Sequence, residues 1–222
     1  AQGFTLKPRF GSSGRGRVAL PPGADPEPRA LGARARLAAR GGAILEPWVE
    51  RLADYSTQLQ VGTEGVTLLA TLEQRTTPAG LVTGHRGLVD SRGRVTCGAA
   101  CDEALREAAL PLALAIREAG FEGVCGVDAF RFRTPDGERL RPLVECNARF
   151  TVGLLAMAQV RRALPDLRER LGLAPGTLRA FSFRLAEPEA GWPPDTDARF
   201  VRRGPGGSGL LLAADTEQLG DL

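Results

Sequence analysis

Leu143-Val144-Glu145-Cys146-Asn147-Ala148-Arg149-Phe150-Thr151 contains the only asparagine of a 222-residue chain. Within it a carboxylate (Glu145), an amide (Asn147) and a guanidinium (Arg149) recur at every second position. On a β-strand that spacing places all three on one face. A carboxylate and an amide oxygen are hard ligands suited to Mg²⁺ or Mn²⁺. A guanidinium beside them suits a phosphate or a carboxylate. The stretch therefore reads as part of a metal–nucleotide site, with an ordinary exposed polar strand face as the plain alternative.

Composition sets wide bounds. Apolar content of 43% and charged content of 25% are ordinary for a globular chain long enough to bury a core. The net charge of +3 comes from basic residues scattered among acids. Nothing in it argues for nucleic acid. No apolar run reaches the length of a membrane span, and no signal-peptide segment opens the chain. Cys97, Cys101, Cys125 and Cys146 have neither the number nor the spacing of a disulfide framework or a zinc site, so a reduced, cytoplasmic protein is expected. Of the 29 basic residues, 28 are arginine and only Lys7 is lysine. The single ammonium stands just ahead of Gly11-Ser12-Ser13-Gly14-Arg15-Gly16, a loop whose backbone N–H groups can close on phosphate oxygens. That loop lacks the Walker A lysine and the Rossmann glycine spacing, and a plain hairpin turn remains the competing explanation.

Periodicity and punctuation then set the elements. Residues 3–7 read as a strand and residues 29–40 as a helix stopped by Gly41-Gly42. Ala43-Ile44-Leu45-Glu46-Pro47-Trp48-Val49-Glu50 reads as a strand interrupted at Pro47, an edge or a bend between lobes. Residues 54–61, 65–71 and 80–89 alternate as strands of an antiparallel sheet, which carries the single histidine, His85, with no acid or nucleophile paired to it. Residues 102–120 read as a helix with Asp102 as its N-cap, an apolar stripe at Leu105, Ala108, Ala109, Leu112 and Ile116, and a kink at Pro111. Residues 124–132 and 140–147 form a hairpin about Thr134-Pro135-Asp136-Gly137. If its register places Asp128 and Glu145 on one face, the two carboxylates and Asn147 make a Mg²⁺ site of the kind a nucleotide completes. Residues 152–171 read as two helical pieces split by Pro165. Residues 178–185, 197–203 and 209–214 read as strands, the last two joined by a second Gly-rich loop best taken as a hairpin.

The order of these features resembles the ATP-grasp superfamily, on its carboxylate–amine ligase side. Five stretches carry the resemblance: Leu6-Lys7-Pro8 with the Gly/Ser loop, Ile44 to Glu50, Asp54-Tyr55-Ser56, Gly126-Val127-Asp128, and Glu145 to Arg149. It runs over about two-thirds of the chain, to near Gly153. The fold it implies is α+β: a small lobe over residues 1–47 with the Gly-rich loop, and a large lobe over residues 48–222 with an antiparallel sheet flanked by helices. Almost nothing precedes Lys7, so the chain reads as the C-terminal part of a longer protein, its small lobe truncated.

In that family ATP lies between the lobes. The resemblance implies that Lys7 contacts the α- and β-phosphates while Gly11, Ser12, Ser13, Gly14 and Gly16 fold over them. Glu46, Pro47, Trp48 and Val49 would meet the adenine, and Asp54 the ribose. Asp128, Glu145 and Asn147 would hold one or two Mg²⁺ (or Mn²⁺) ions, and Arg149 would meet the transferred phosphoryl group. The implied reaction uses ATP to activate a small-molecule carboxylate as an acyl phosphate, which an amine then attacks. An ATP-grasp kinase and a non-catalytic nucleotide-binding domain are the alternatives. No nucleic-acid or membrane partner is expected, and a homodimer stands open beside a monomer.

Overall fold

The computed structural model describes residues 3–9, 17–20, 22–23, 32, 37, 41–77, 80–196 and 199–213. The Gly/Ser loop at residues 11–16 lies outside them. Of the helix expected over residues 29–40, Gly32 and Leu37 are described and both are helical. The chain divides into two units. The smaller takes in Ala1–Leu52, Thr76–Val82 and Arg131–Arg139, and the larger the remainder.

The smaller unit holds an antiparallel three-stranded sheet of β1 (Phe4–Pro8), β2 (Val18–Leu20) and β3 (Ala43–Pro47), with β1 in the centre. Pro47 is the Cα partner of Phe4 and ends β3. A proline has no N–H to continue a ladder, so it is tolerated at that terminus.

Among the described residues a second sheet, most of it in the larger unit, has nine strands: β4 (Glu50–Gly62), β5 (Gly65–Thr76), β6 (Val82–Asp90), β7 (Val95–Thr96), β8 (Gly123–Thr134), β9 (Gly137–Asn147), β10 (Leu178–Arg184), β11 (Arg199–Arg203) and β12 (Gly209–Ala213). Their order is β11-β12-β10-β6-β7-β5-β4-β8-β9, with β6 also pairing β5. The pairing of Ala70 in β5 with Val95 in β7 is parallel, so the sheet is mixed. Thr134 and Gly137 flank a two-residue turn, where Gly137 takes a φ of 120° and the Thr134 hydroxyl donates to its carbonyl at 2.8 Å. A side chain is strained at that φ, which is why glycine closes the β8–β9 hairpin.

Two helices pack on this sheet, α1 (Asp102–Glu118) and α2 (Val152–Arg170). Strand alternation assigns them different residues. Leu105, Ala109 and Ala113 of α1 pack with Tyr55, Leu59, Val61, Cys125, Val127 and Ala129. Leu154, Met157, Val160, Ala163 and Leu167 of α2 pack with Leu72, Val89, Phe181, Phe183 and Leu212. The intervening residues of β4 and β8 therefore turn from α1 toward the side that α2 covers.

Two sequence expectations are corrected here. Residues 152–170 form one helix with Pro165 inside it, not two pieces. Proline costs one backbone bond, but the apolar stripe on both sides of it is buried in the same core and holds the helix through. Asp102 is the first helical residue rather than the cap, which is Cys101 with no side-chain cap bond. The Asp102 carboxylate instead accepts from the Thr71 hydroxyl, the Cys97 N–H at 3.3 Å and Arg106 Nε at 2.6 Å, tying α1 to the sheet. No helix among the described residues is long and apolar enough to cross a membrane.

Phe181 is fully buried under α2. Phe181→Ala is expected to cost about 3–5 kcal/mol. The check is a urea unfolding curve, whose midpoint falls at unchanged slope; a loss below about 1 kcal/mol would contradict this packing.

Candidate functional site

The site is laid out by two strand edges and a helix start. Asp128 leaves β8 on the face away from α1, between Val127 and Ala129, which pack toward it. Asn147 ends β9, and its Nδ2 donates to Asp128 Oδ2 at 2.9 Å. Arg149 Nη2 then donates to Asn147 Oδ1 at 2.8 Å. Glu145 lies near enough to raise the Asp128 pKa, although its own side chain is exposed. The structure thus brings Asp128, Glu145, Asn147 and Arg149 together in the larger unit. Cys146, between two of them, points the other way and shares a thiol hydrogen bond with Cys125 against the α1 core.

Asp128 is held by more than the hairpin. Its Oδ1 accepts from the Ser56 hydroxyl at 3.2 Å and from Gln74 Nε2 at 2.9 Å. Ser56 in turn accepts from Gln58 Nε2 at 2.7 Å. Gln58 Oε1 accepts from the Thr151 hydroxyl at 2.5 Å, and Thr151 caps α2 by accepting from the Leu154 N–H at 3.3 Å. Every donor in this series points toward Asp128. A one-way series of this kind polarises each bond in turn and delivers the positive end of a helix N-terminus to the carboxylate. Room for Gln58 comes from two glycines. A Cβ on Gly153 would stand 2.5 Å from Gln58 Nε2, and one on Gly126 would stand 3.3 Å from its Oε1. Ser56, Gln58, Gln74 and Thr151 had no assigned role in the sequence. Their one signal is that Ser56 and Gln58 are polar at alternate positions of a strand whose other face is apolar.

The charge balance is uneven. Burial first, and the neighbouring Glu145 next, push the Asp128 pKa above the ordinary carboxylate value, while Ser56, Gln74 and Asn147 pull against them. Two carboxylates and one amide oxygen suit an octahedral divalent cation that keeps water or phosphate oxygens as its other ligands. Such a cation would also relieve the repulsion that raises Asp128. Asn147 turns its NH₂ to Asp128 and its oxygen to Arg149, so an exchange of the two amide ends would present the oxygen as a ligand. Among the described residues, no three His, Cys, Asp or Glu side chains group as a metal set.

The other expected site residues fall elsewhere. Asp54 is the Cα partner of Gln74 and shares a strand face with Ser56. In the smaller unit, Lys7 Nζ pairs with Glu46 Oε1 at 3.0 Å across neighbouring strands. Pro47 ends β3, the Trp48 N–H donates to the Gly3 carbonyl at 3.0 Å, and Val49 follows half-buried. Gly11, Ser12, Ser13, Gly14 and Gly16 are outside the described residues. His85 is buried with Nδ1 lacking a hydrogen-bond partner, and burial lowers its pKa to about 4, so it stays neutral in the interior.

No family model and no curated protein matches the sequence. Solved structures do match the fold. Biotin carboxylase from Campylobacter jejuni, solved as a β,γ-ATP complex, superposes with a TM-score of 0.60 at 13% identity, covering 99% of this chain and 55% of that one. N5-carboxyaminoimidazole ribonucleotide synthetase from Thermus thermophilus gives 0.58 at 20% identity, covering 100% and 60%. The biotin carboxylase domain of the Hydrogenobacter thermophilus 2-oxoglutarate carboxylase, solved with MgADP and bicarbonate, gives 0.58 at 14%, covering 96% and 53%. The chain thus spans between half and three-fifths of the length of these three proteins.

Two outcomes follow from this geometry. Gln58→Leu leaves the Thr151 hydroxyl without its acceptor and Ser56 without a donor, and should cost about 1–3 kcal/mol by chemical denaturation; a cost near zero would remove Gln58 from the series. Asp128→Asn should act oppositely. Because the folded-state pKa of Asp128 is raised, its contribution is present below the ordinary aspartate pKa and is lost as pH rises through the raised value. In metal-free buffer at pH 7 the variant should melt above the parent, with the gap closing toward pH 4. A lower melting temperature at pH 7 would contradict the assigned cause.

Proposed function

We propose that this chain, which has the ATP-grasp fold, is the catalytic part of an ATP-dependent ligase that activates a carboxylate for attack by an amine. The observation that carries the reading is the convergence of Asp128, Glu145, Asn147 and Arg149 on one face, with the Asp128 carboxylate held in place by Ser56 and Gln74. The fold shared with a β,γ-ATP complex and a MgADP complex supports it.

In this reading Asp128 and Glu145, with Asn147 through its amide oxygen, hold Mg²⁺ or Mn²⁺. The ion, when bound, neutralises charge on the nucleotide phosphates. Arg149 orients the transferred phosphoryl group with its planar fork. Lys7 supplies a point charge to the α- and β-phosphates, exchanging its Glu46 partner for them. Glu46, Pro47, Trp48 and Val49 receive the adenine and Asp54 the ribose hydroxyls. A substrate carboxylate oxygen attacks the γ-phosphorus, the bond to the β-phosphate oxygen breaks, and ADP leaves. The amine nitrogen then attacks the acyl carbon, the C–O bond to phosphate breaks, and phosphate leaves with the amide formed. Positioning and charge neutralisation are what the protein adds to such a displacement.

Glu145→Gln tests the reading in the full-length protein. It keeps shape and removes one ligand charge, so Mg-dependent ADP release should fall by about 100-fold or more. Unchanged turnover would remove Glu145 from the metal set. ADP release that requires both a carboxylate and an amine supports the ligase. Release with a phosphorylated hydroxyl product makes the protein a kinase, and no ATP binding by the full-length parent makes it a non-catalytic domain.

A further inference from the structure

The side of β5 turned away from Asp128 carries a second group of charges. Gln74 reaches Asp128, so its neighbours Glu73 and Arg75 point to the opposite face. Three adjacent strands meet there. On β6, Arg86 pairs with Glu73 through Nη2 and Oε1 at 2.6 Å. On β10, Ser182 is the Cα partner of Arg86, and Arg184, two residues on, is the partner of Gly84. Ser182, Arg184 and Arg86 therefore share one face of the sheet. Gly84 puts no side chain beside Arg184, and a Cβ there would lie 2.2 Å from the Phe183 carbonyl.

Positive charge is concentrated here. Burial first, then Arg184 and Arg86, lower the pKa of Arg75, and Glu73 alone acts against them. The three guanidiniums stand in a half-buried setting, where like charges repel more strongly than in water. The Nε atom of Arg75 and the hydroxyl of Ser182 are shielded from solvent without a hydrogen-bond partner. Ser182 is 1% exposed, and an unpaired hydroxyl at that depth is costly.

We propose that Arg75, Arg86, Arg184 and Ser182 form a binding site for a compact oxyanion, the phosphate or carboxylate group of a small molecule. Guanidinium forks match both groups, and Ser182 adds a neutral donor. The site lies on the other face of the sheet from Asp128 and stands or falls apart from the metal reading. Arg75 and Ser182 are its distinguishing parts, because Arg86 also serves Glu73.

The test titrates inorganic phosphate, and separately succinate, into the full chain at constant ionic strength held with KCl, following melting temperature and heat of binding. At about 10 mM anion the parent should melt higher than in KCl alone. A stronger response to phosphate assigns a phosphate group, and a stronger response to succinate assigns a carboxylate. Arg75→Met should weaken binding by about tenfold or more, and without anion it should be at least as stable as the parent. Ser182→Ala, a small change in a buried strand, repeats the test independently of Arg75, and Glu145→Gln should leave the anion response in place. No response to either anion, or an equal response in Arg75→Met and Ser182→Ala, overturns the proposal. Loss of anion-free stability in Arg75→Met overturns it too, because the cluster would then be neutralised from within the chain.

Discussion

A half-buried carboxylate with three donors organises the larger unit around itself. Asp128 accepts from Ser56 on β4, Gln74 on β5 and Asn147 at the end of β9, so three strands are registered against a fourth through one side chain. The series continues through Gln58 and Thr151 to the first turn of α2. At Gly153 the Gln58 amide occupies the space a side chain would need, and a Cβ on Gly126 would meet the Thr151 methyl at 2.9 Å and the Gln58 amide at 3.3 Å. A carboxylate left in that place without these bonds would be far costlier to bury.

The same arrangement leaves a strain of charge that function can use. Burial and Glu145 act against ionisation of Asp128, and the three donors only partly offset them. A site that is electrostatically poor alone and improves when a cation arrives is what a metal–nucleotide centre requires. Arg149 leans on Asn147 rather than on either carboxylate, which keeps its guanidinium next to the acids without neutralising them. In the smaller unit the one lysine is paired rather than isolated, with Glu46 as its partner across β1 and β3.

Strand alternation separates two groups of charged residues onto the two faces of the sheet. Along β5, Leu72 and Gln74 turn to the α2 side while Thr71, Glu73 and Arg75 turn to the other. Asp128, Glu145 and Arg149 lie on the side that Gln74 reaches, while Glu73, Arg75 and Arg86 lie on the other, a single residue step away along β5. A slip of one residue in β5 would exchange Gln74 and Arg75, so register decides which face each side chain reaches.

Much of this was legible in the chain. The alternating strands, the α1 stripe, the β8–β9 turn and the pattern Glu145-Asn147-Arg149 are local, and period and turn chemistry express them without reference to distant residues. The sequence by itself determined which residue types were offered and on which face of their own element they stand. It misread Pro165 and Asp102 because local cost was weighed without the buried stripe that carries α2 past its proline or the strand residues that engage Asp102. Only the tertiary structure decided that Ser56, Gln58, Gln74 and Thr151 support Asp128, and that Arg75, Arg86 and Arg184 meet. Those contacts join residues far apart in the chain, and their geometry comes from strand order and register, which the packing of α1 and α2 on the sheet selects and no local period encodes.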